Sequence, residues 1–117
     1  MAGKKFEVLQ KIEDMIDYAY DALAQFPKAE KFSLAQDIRF CMNALLRHTV
    51  TAEKKASKKT SYEHMDVELA VLQSYVRISM KKRYISIHKF GVWSGMLVEI
   101  GKMIGGLLKS VSDKPKS

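Results

Sequence analysis

One cysteine, two prolines, one tryptophan and six glycines are all that 117 residues contain of these types. A lone thiol, Cys41, closes no intramolecular disulfide and builds no cysteine-based metal site, so a reducing setting is expected. Scarce proline and glycine leave little to interrupt regular structure, and no segment alternates with the period of a strand. No run reaches the roughly 20 apolar residues that a membrane span needs. The most apolar stretch, 90–108, is broken by Glu99 and Lys102. Residues 1–5, Met-Ala-Gly-Lys-Lys, lack the apolar stretch of a secretory signal. These absences together predict a cytoplasmic protein without a membrane partner.

What is present is a globular composition, 47% hydrophobic, 28% charged and 9% aromatic. It supports one core and one domain. Four stretches carry apolar residues at spacings of three and four, the pattern of amphipathic helices. The first seam is Leu9, Ile12, Ile16, Ala19, Leu23 and Phe26, and Pro27 predicts a helix end near Gln25. The second is Ala35, Ile38, Met42, Leu45, Thr49 and Ala52, widened by Leu34, Cys41 and Leu46. Its start is either a capping box from Ser33 to Gln36 or an earlier point behind Pro27.

The polar run 54–59 closes that helix as a charged loop, and Thr60 with Glu63 reads as a capping box for the third. The third seam is Met65, Leu69, Leu72, Val76 and Ser79, with Val67, Val71, Tyr75, Ile78 and Met80 broadening its apolar face. The cations Lys81, Lys82 and Arg83 suit a helix C-terminus. Ser86 is the expected cap of the fourth helix, whose seam is Phe90, Trp93, Leu97, Ile100, Ile104 and Leu107. The short connections predict an all-α, up-down-up-down four-helix bundle over 1–111, followed by a disordered tail at 112–117.

The net charge of +7 is unevenly placed. Residues 1–30 carry four lysines against six acids, net −2, and residues 31–117 carry sixteen cations against seven acids, net +9. The predicted topology gathers Lys4, Lys5, Lys54, Lys55, Lys58, Lys59, Lys109, Lys114 and Lys116 at one end. Lys28, Lys31, Lys81, Lys82, Arg83 and Lys89 fall at the other, with Arg39, Arg47 and Arg77 on the bodies of the helices. Such a distribution reads either as ordinary solvated helix ends or as a footprint for a polyanion. The candidate nucleic-acid or partner-binding set is Arg39, Arg47, Arg77, Lys81, Lys82 and Arg83, supported by Lys54, Lys55, Lys58 and Lys59. No zinc-finger spacing, helix-turn-helix pattern or aromatic stacking motif accompanies it, so base-sequence readout is not expected.

Five of the six glycines, Gly91, Gly95, Gly101, Gly105 and Gly106, lie in the fourth helix. Each costs roughly 0.5–1 kcal/mol against Ala in a helix interior. Gly91 with Gly95, and Gly101 with Gly105, are four apart, and the expected return is close helix packing within the bundle or between subunits. Catalytic patterns are missing. His48, His64 and His88 stand on three different helices and read as surface or cap residues, and Asp66 and Glu68 point to different faces. Cys41 reads as a small core residue, and no phosphate-cradling glycine loop follows a strand. No enzyme activity, catalytic residue, metal or cofactor is expected.

Three segments taken together resemble a known family. They are 26–35 (Phe-Pro-Lys-Ala-Glu-Lys-Phe-Ser-Leu-Ala), then 66–72 (Asp-Val-Glu-Leu-Ala-Val-Leu) leading through Arg77 to Tyr84-Ile85-Ser86, then 99–106 (Glu-Ile-Gly-Lys-Met-Ile-Gly-Gly). Their order and spacing resemble the accessory variability determinant (Avd) proteins of diversity-generating retroelements, across roughly residues 6–110. The resemblance implies a four-helix bundle assembled as a positively charged homopentameric barrel. It further implies binding of RNA or DNA and partnership with an error-prone reverse transcriptase in mutagenic retrohoming. Arg77 matches a basic site of that family. Family members often have Arg where Lys102 stands and an aromatic where Leu107 stands. The four-helix protein encoded by intervening sequences of bacterial 23S ribosomal RNA genes is similar in architecture and is the alternative. A structural or protein-interaction bundle that binds no nucleic acid is a third.

Overall fold

The structure is a computed structural model that describes residues 4–112, with side chains from Glu7 onward. Four helices follow one another: α1 (Lys4–Leu23), α2 (Leu34–Lys54), α3 (Lys59–Lys81) and α4 (Ile87–Ser112). Contacts run α1–α2, α2–α3, α3–α4 and α4–α1, and none join α1 to α3 or α2 to α4. Cross-helix pairs fix the directions. Lys11 meets Glu99 while Tyr18 meets Lys89, so α1 and α4 are antiparallel. Cys41 meets Glu68 while His48 meets His64, so α2 and α3 are antiparallel as well. The expected four-helix bundle is therefore observed, as a rod of 54 × 25 × 23 Å. The segment 113–117, expected to be disordered, lies outside the described residues, and Ser112 is the last residue of α4.

Every seam residue expected on α2 and α3 is buried, as are Trp93, Leu97, Ile100, Ile104 and Leu107 on α4. Each large aliphatic side chain so buried contributes about 1.5–3 kcal/mol by leaving water. On α1 the seam is rotated from expectation. The buried row is Val8, Ile12, Met15, Ala19 and Ala22, with Leu23 and Phe26 beyond, whereas Leu9 and Ile16 are half-buried. Apolar residues stand side by side at 8–9 and 15–16. Either member of each pair suits a period of 3.6 residues, and packing against α2 and α4 turns the first of each pair inward.

Two boundary expectations are corrected, and of the two starts open to α2 the one at Ser33 is taken. The α1 helix ends at Leu23, where N–H groups of Gln25 and Phe26 turn to the carbonyls of Ala22 and Leu23 ahead of Pro27. Behind Pro27 lies a separate 3-10 turn, Lys28–Glu30, and α2 begins at Leu34. Ser33 makes no side-chain cap bond; its hydroxyl donates to Glu30 Oε1, which also accepts the N–H of Leu34 at 3.4 Å. The α3 helix begins at Lys59, so Thr60 already sits in its first turn, and the N-cap residue Lys58 makes no side-chain cap bond. Ser86 behaves as expected, its Oγ accepting the N–H of Lys89 at 3.1 Å.

Candidate functional site

The connections gather the basic side chains at two ends of the rod. At one end α3 finishes on Lys81, and the chain then reverses through Arg83 at φ 61°. The N–H of Tyr84 reaches the carbonyl of Ser79 and that of Arg83 reaches Met80. This pair of bonds is a Schellman motif, which places its C′ residue in the left-handed region that glycine usually fills. Here an arginine occupies it. Lys81 and Arg83, together with Gln25 and Ile87, line a hollow of about 650 Å³.

A polar brace ties this turn to the one between α1 and α2. Tyr84 donates its hydroxyl to Glu30 Oε2 at 3.0 Å, and its ring centroid lies 5.3 Å from that of Phe26. Hydrogen bonds from Ser33 and Tyr84, then the N–H of Leu34 and the charge of Lys82, hold the Glu30 carboxyl below its ordinary range against some burial. Burial and Glu30 push the Tyr84 phenol up. Arg39, half-buried nearby, donates to the carbonyl of Lys31 at 3.5 Å.

At the opposite end α2 and α3 enclose a cleft of about 470 Å³. Arg47, His48 and Thr51 line it from α2, Lys55 and Ser57 from the connection, and Thr60, Ser61 and His64 from α3. The imidazole centroids of His48 and His64 are 4.7 Å apart and tilted by 52°. Burial, the neighbouring His64 and Arg47 lower the pKa of His48, opposed by Glu68. The amine of Lys58 donates to the carbonyls of Ala52 and Lys55, closing the end of α2. Lys54 and Lys59 are exposed.

Three histidines read individually as surface or cap residues conceal this pair. The signal was available: His48 and His64 each stand eight residues from Ala56, so an antiparallel turn centred there brings them level. An i,i+4 pair lies on one helix, whereas these two imidazoles meet across two.

The remaining expected site residues lie elsewhere. Arg77 is exposed on α3, its guanidinium donating to Ser74 Oγ at 3.0 Å. Cys41 is buried, its thiol donating to the carbonyl of Glu68 at 3.1 Å, and burial with Glu68 pushes its pKa up to about 12. Among the glycines, a Cβ on Gly101 would stand 3.2 Å from Leu69 Cδ2, so this position fits α4 closely against α3. Gly91, Gly95, Gly105 and Gly106 face open space, with nothing within 4 Å of a Cβ. Close packing inside the bundle thus involves one glycine of the set. Side chains of Lys4, Lys5, Lys114 and Lys116 lie outside the described residues.

Several apolar side chains also remain outside the core. Phe40 and Val71 border one groove between α2 and α3, and Val67 and Ile78 continue its α3 side. Among the described residues no group of three or more His, Cys, Asp or Glu could hold a metal ion. No helix among the described residues is long and apolar enough to cross a membrane. Comparison with known families matches residues 6–111 to the model described as bAvd-like. No curated protein matches the chain.

Proposed function

The chain belongs to the bAvd-like family, the accessory variability determinant proteins, and we propose on that premise that it serves a diversity-generating retroelement by binding nucleic acid and docking on its reverse transcriptase. The observation that carries this reading is the family match over 6–111, nearly the whole bundle. The basic side chains give it a physical means. Lys and Arg neutralise phosphates and release condensed counterions, which needs no base-specific contact. Arg47 and Lys55 serve at one end, Lys81, Lys82 and Arg83 at the other, with Arg77 exposed on α3. Lys54 and Lys59 add electrostatic support, while Arg39 and Lys58 act from positions already bonded to backbone carbonyls.

The same reading assigns a homopentamer, a cytoplasmic location and no catalysis of its own. Self-association is supported by Phe40, Val67, Val71 and Ile78, apolar side chains that a monomer leaves in water. The open glycine positions of α4 beside exposed Val98 offer a second flat face for a neighbouring subunit.

Titration of single-stranded RNA, DNA and their hybrid against the full chain tests the binding. Six neutralised phosphates would lower affinity by about a thousandfold between 50 and 200 mM salt. Absent binding, or binding indifferent to salt, rejects the nucleic-acid reading in favour of a protein-interaction bundle. Light scattering at micromolar concentration that returns the mass of a single chain rejects the pentamer.

A further inference from the structure

The cleft between α2 and α3 differs from the other hollows in its chemistry. Its lining residues are cationic, imidazole or hydroxyl-bearing, without a carboxylate or a large apolar side chain. The groove nearer the middle of the same helix pair, by contrast, contains Asp37, Glu68 and Phe40. Arg47 and Lys55 supply fixed positive charge, and the hydroxyls of Thr60 and Ser61 come from the first turn of α3. That turn has no side-chain cap, and the 23-residue helix behind it directs its positive dipole end towards the same region. Three sources of positive potential, two side chains and one helix end, thus converge on this cleft.

The two imidazoles add a second property. The rings stand 4.7 Å apart, and burial, His64 and Arg47 all disfavour the protonated form of His48. A tetrahedral dianion reverses that balance, because its charge offsets both the mutual repulsion and the field of Arg47. The groups facing His48 are Arg47 on α2 and His64 and Glu68 on α3, with Lys55 on the connecting turn. Only Glu68 favours the imidazolium in the absence of an anion.

We propose that this cleft is a proton-coupled phosphate-binding site, in which Arg47 and Lys55 hold the anion and the His48–His64 pair takes up a proton as it enters. The proposal deepens the nucleic-acid reading by assigning one phosphate of the bound strand to this place. Free inorganic phosphate presents the same chemistry. Coupling to one proton means that affinity weakens by up to about tenfold per pH unit between the free and the anion-bound imidazole midpoints.

The experiment follows the imidazole C–H resonances of the full chain from pH 5 to 8, with and without inorganic sulfate. Sulfate keeps its charge throughout that range, so any pH dependence belongs to the protein. Expected are raised titration midpoints for His48 and His64, and sulfate affinity about tenfold weaker at pH 8 than at pH 6. His64→Asn, at an exposed position, should flatten this dependence, and Arg47→Gln should weaken sulfate at both pH values. Midpoints unmoved by sulfate, or an undiminished pH dependence in His64→Asn, overturn the proposal.

Inorganic phosphate and a short single-stranded RNA are then compared by the same resonances. Shifts with RNA identify the strand as the source, and shifts with phosphate alone identify the free anion. RNA that binds with a steep salt dependence while no anion moves the imidazoles removes this site and leaves the proposed function standing. Sulfate that moves them when no nucleic acid binds does the reverse.

Discussion

At Arg83 the backbone enters the left-handed region with a side chain whose Cβ crowds the following carbonyl. Replacing it with glycine removes that crowding at a C′ position suited to glycine, while loosening the unfolded chain. Arg83→Gly is therefore expected to stabilise the fold by about 1 kcal/mol in urea unfolding, a net of these opposing effects. If the arginine also meets phosphate, the same variant binds RNA more weakly, separating its use from its cost. Glu30 presents a different case at the same end. Its pKa is depressed, so the stability it supplies is present above the ordinary carboxylate value of 4.5 and is lost as pH falls through the lower folded value. Glu30→Gln should lower the thermal midpoint at pH 7, with the gap to the original chain narrowing as pH falls below 4.5. An unchanged gap would mean that the charge is irrelevant and only shape matters.

Among the elements, α4 shows both what sequence patterning reveals and where it stops. Its buried seam from Trp93 to Leu107 keeps the expected spacing, even though Val92, Met96, Met103 and Leu108 stand beside it as apolar alternatives. The α1 helix offers adjacent apolar choices, and only packing between α2 and α4 decides between Val8 and Leu9. Caps are less legible still: Thr60 and Glu63 have the right separation, yet α3 starts one residue before Thr60. The imidazole pair depends on register between two helices, a relation that no window along one helix contains. The basic ends, by contrast, follow directly from short connections. Glycine substitution probes α4 further. With open space at Gly105, Gly105→Ala should raise subunit stability by about 0.5–1 kcal/mol through helix propensity alone. At Gly101 the new methyl would have to displace Leu69, and the gain should shrink or change sign. Denaturant unfolding compares the two, and loss of assembly in Gly105→Ala would place that face between subunits.

For the whole molecule, apolar surface and positive charge make separate demands. Charge at the ends favours a polyanion, whereas Phe40, Val71 and Ile78 favour a neighbouring protein surface. If the proposed self-association uses this groove, Val71→Glu reduces the mass in light scattering without lowering helical circular dichroism. An unaltered mass would move the subunit contact away from this groove. The cyclic order of contacts has a consequence for how the chain reaches this state. Three of the four helix interfaces join neighbours in sequence, so helical hairpins can close over short loops at small entropic cost. Closing α1 against α4 is the one step that spans the chain, and it is there that the folding barrier is expected to feel chain length. Lengthening the α2–α3 connection with flexible residues should slow refolding while changing the unfolding rate little, as stopped-flow fluorescence from Trp93 can measure. The last contact to form would then be the one joining the first helix to the fourth.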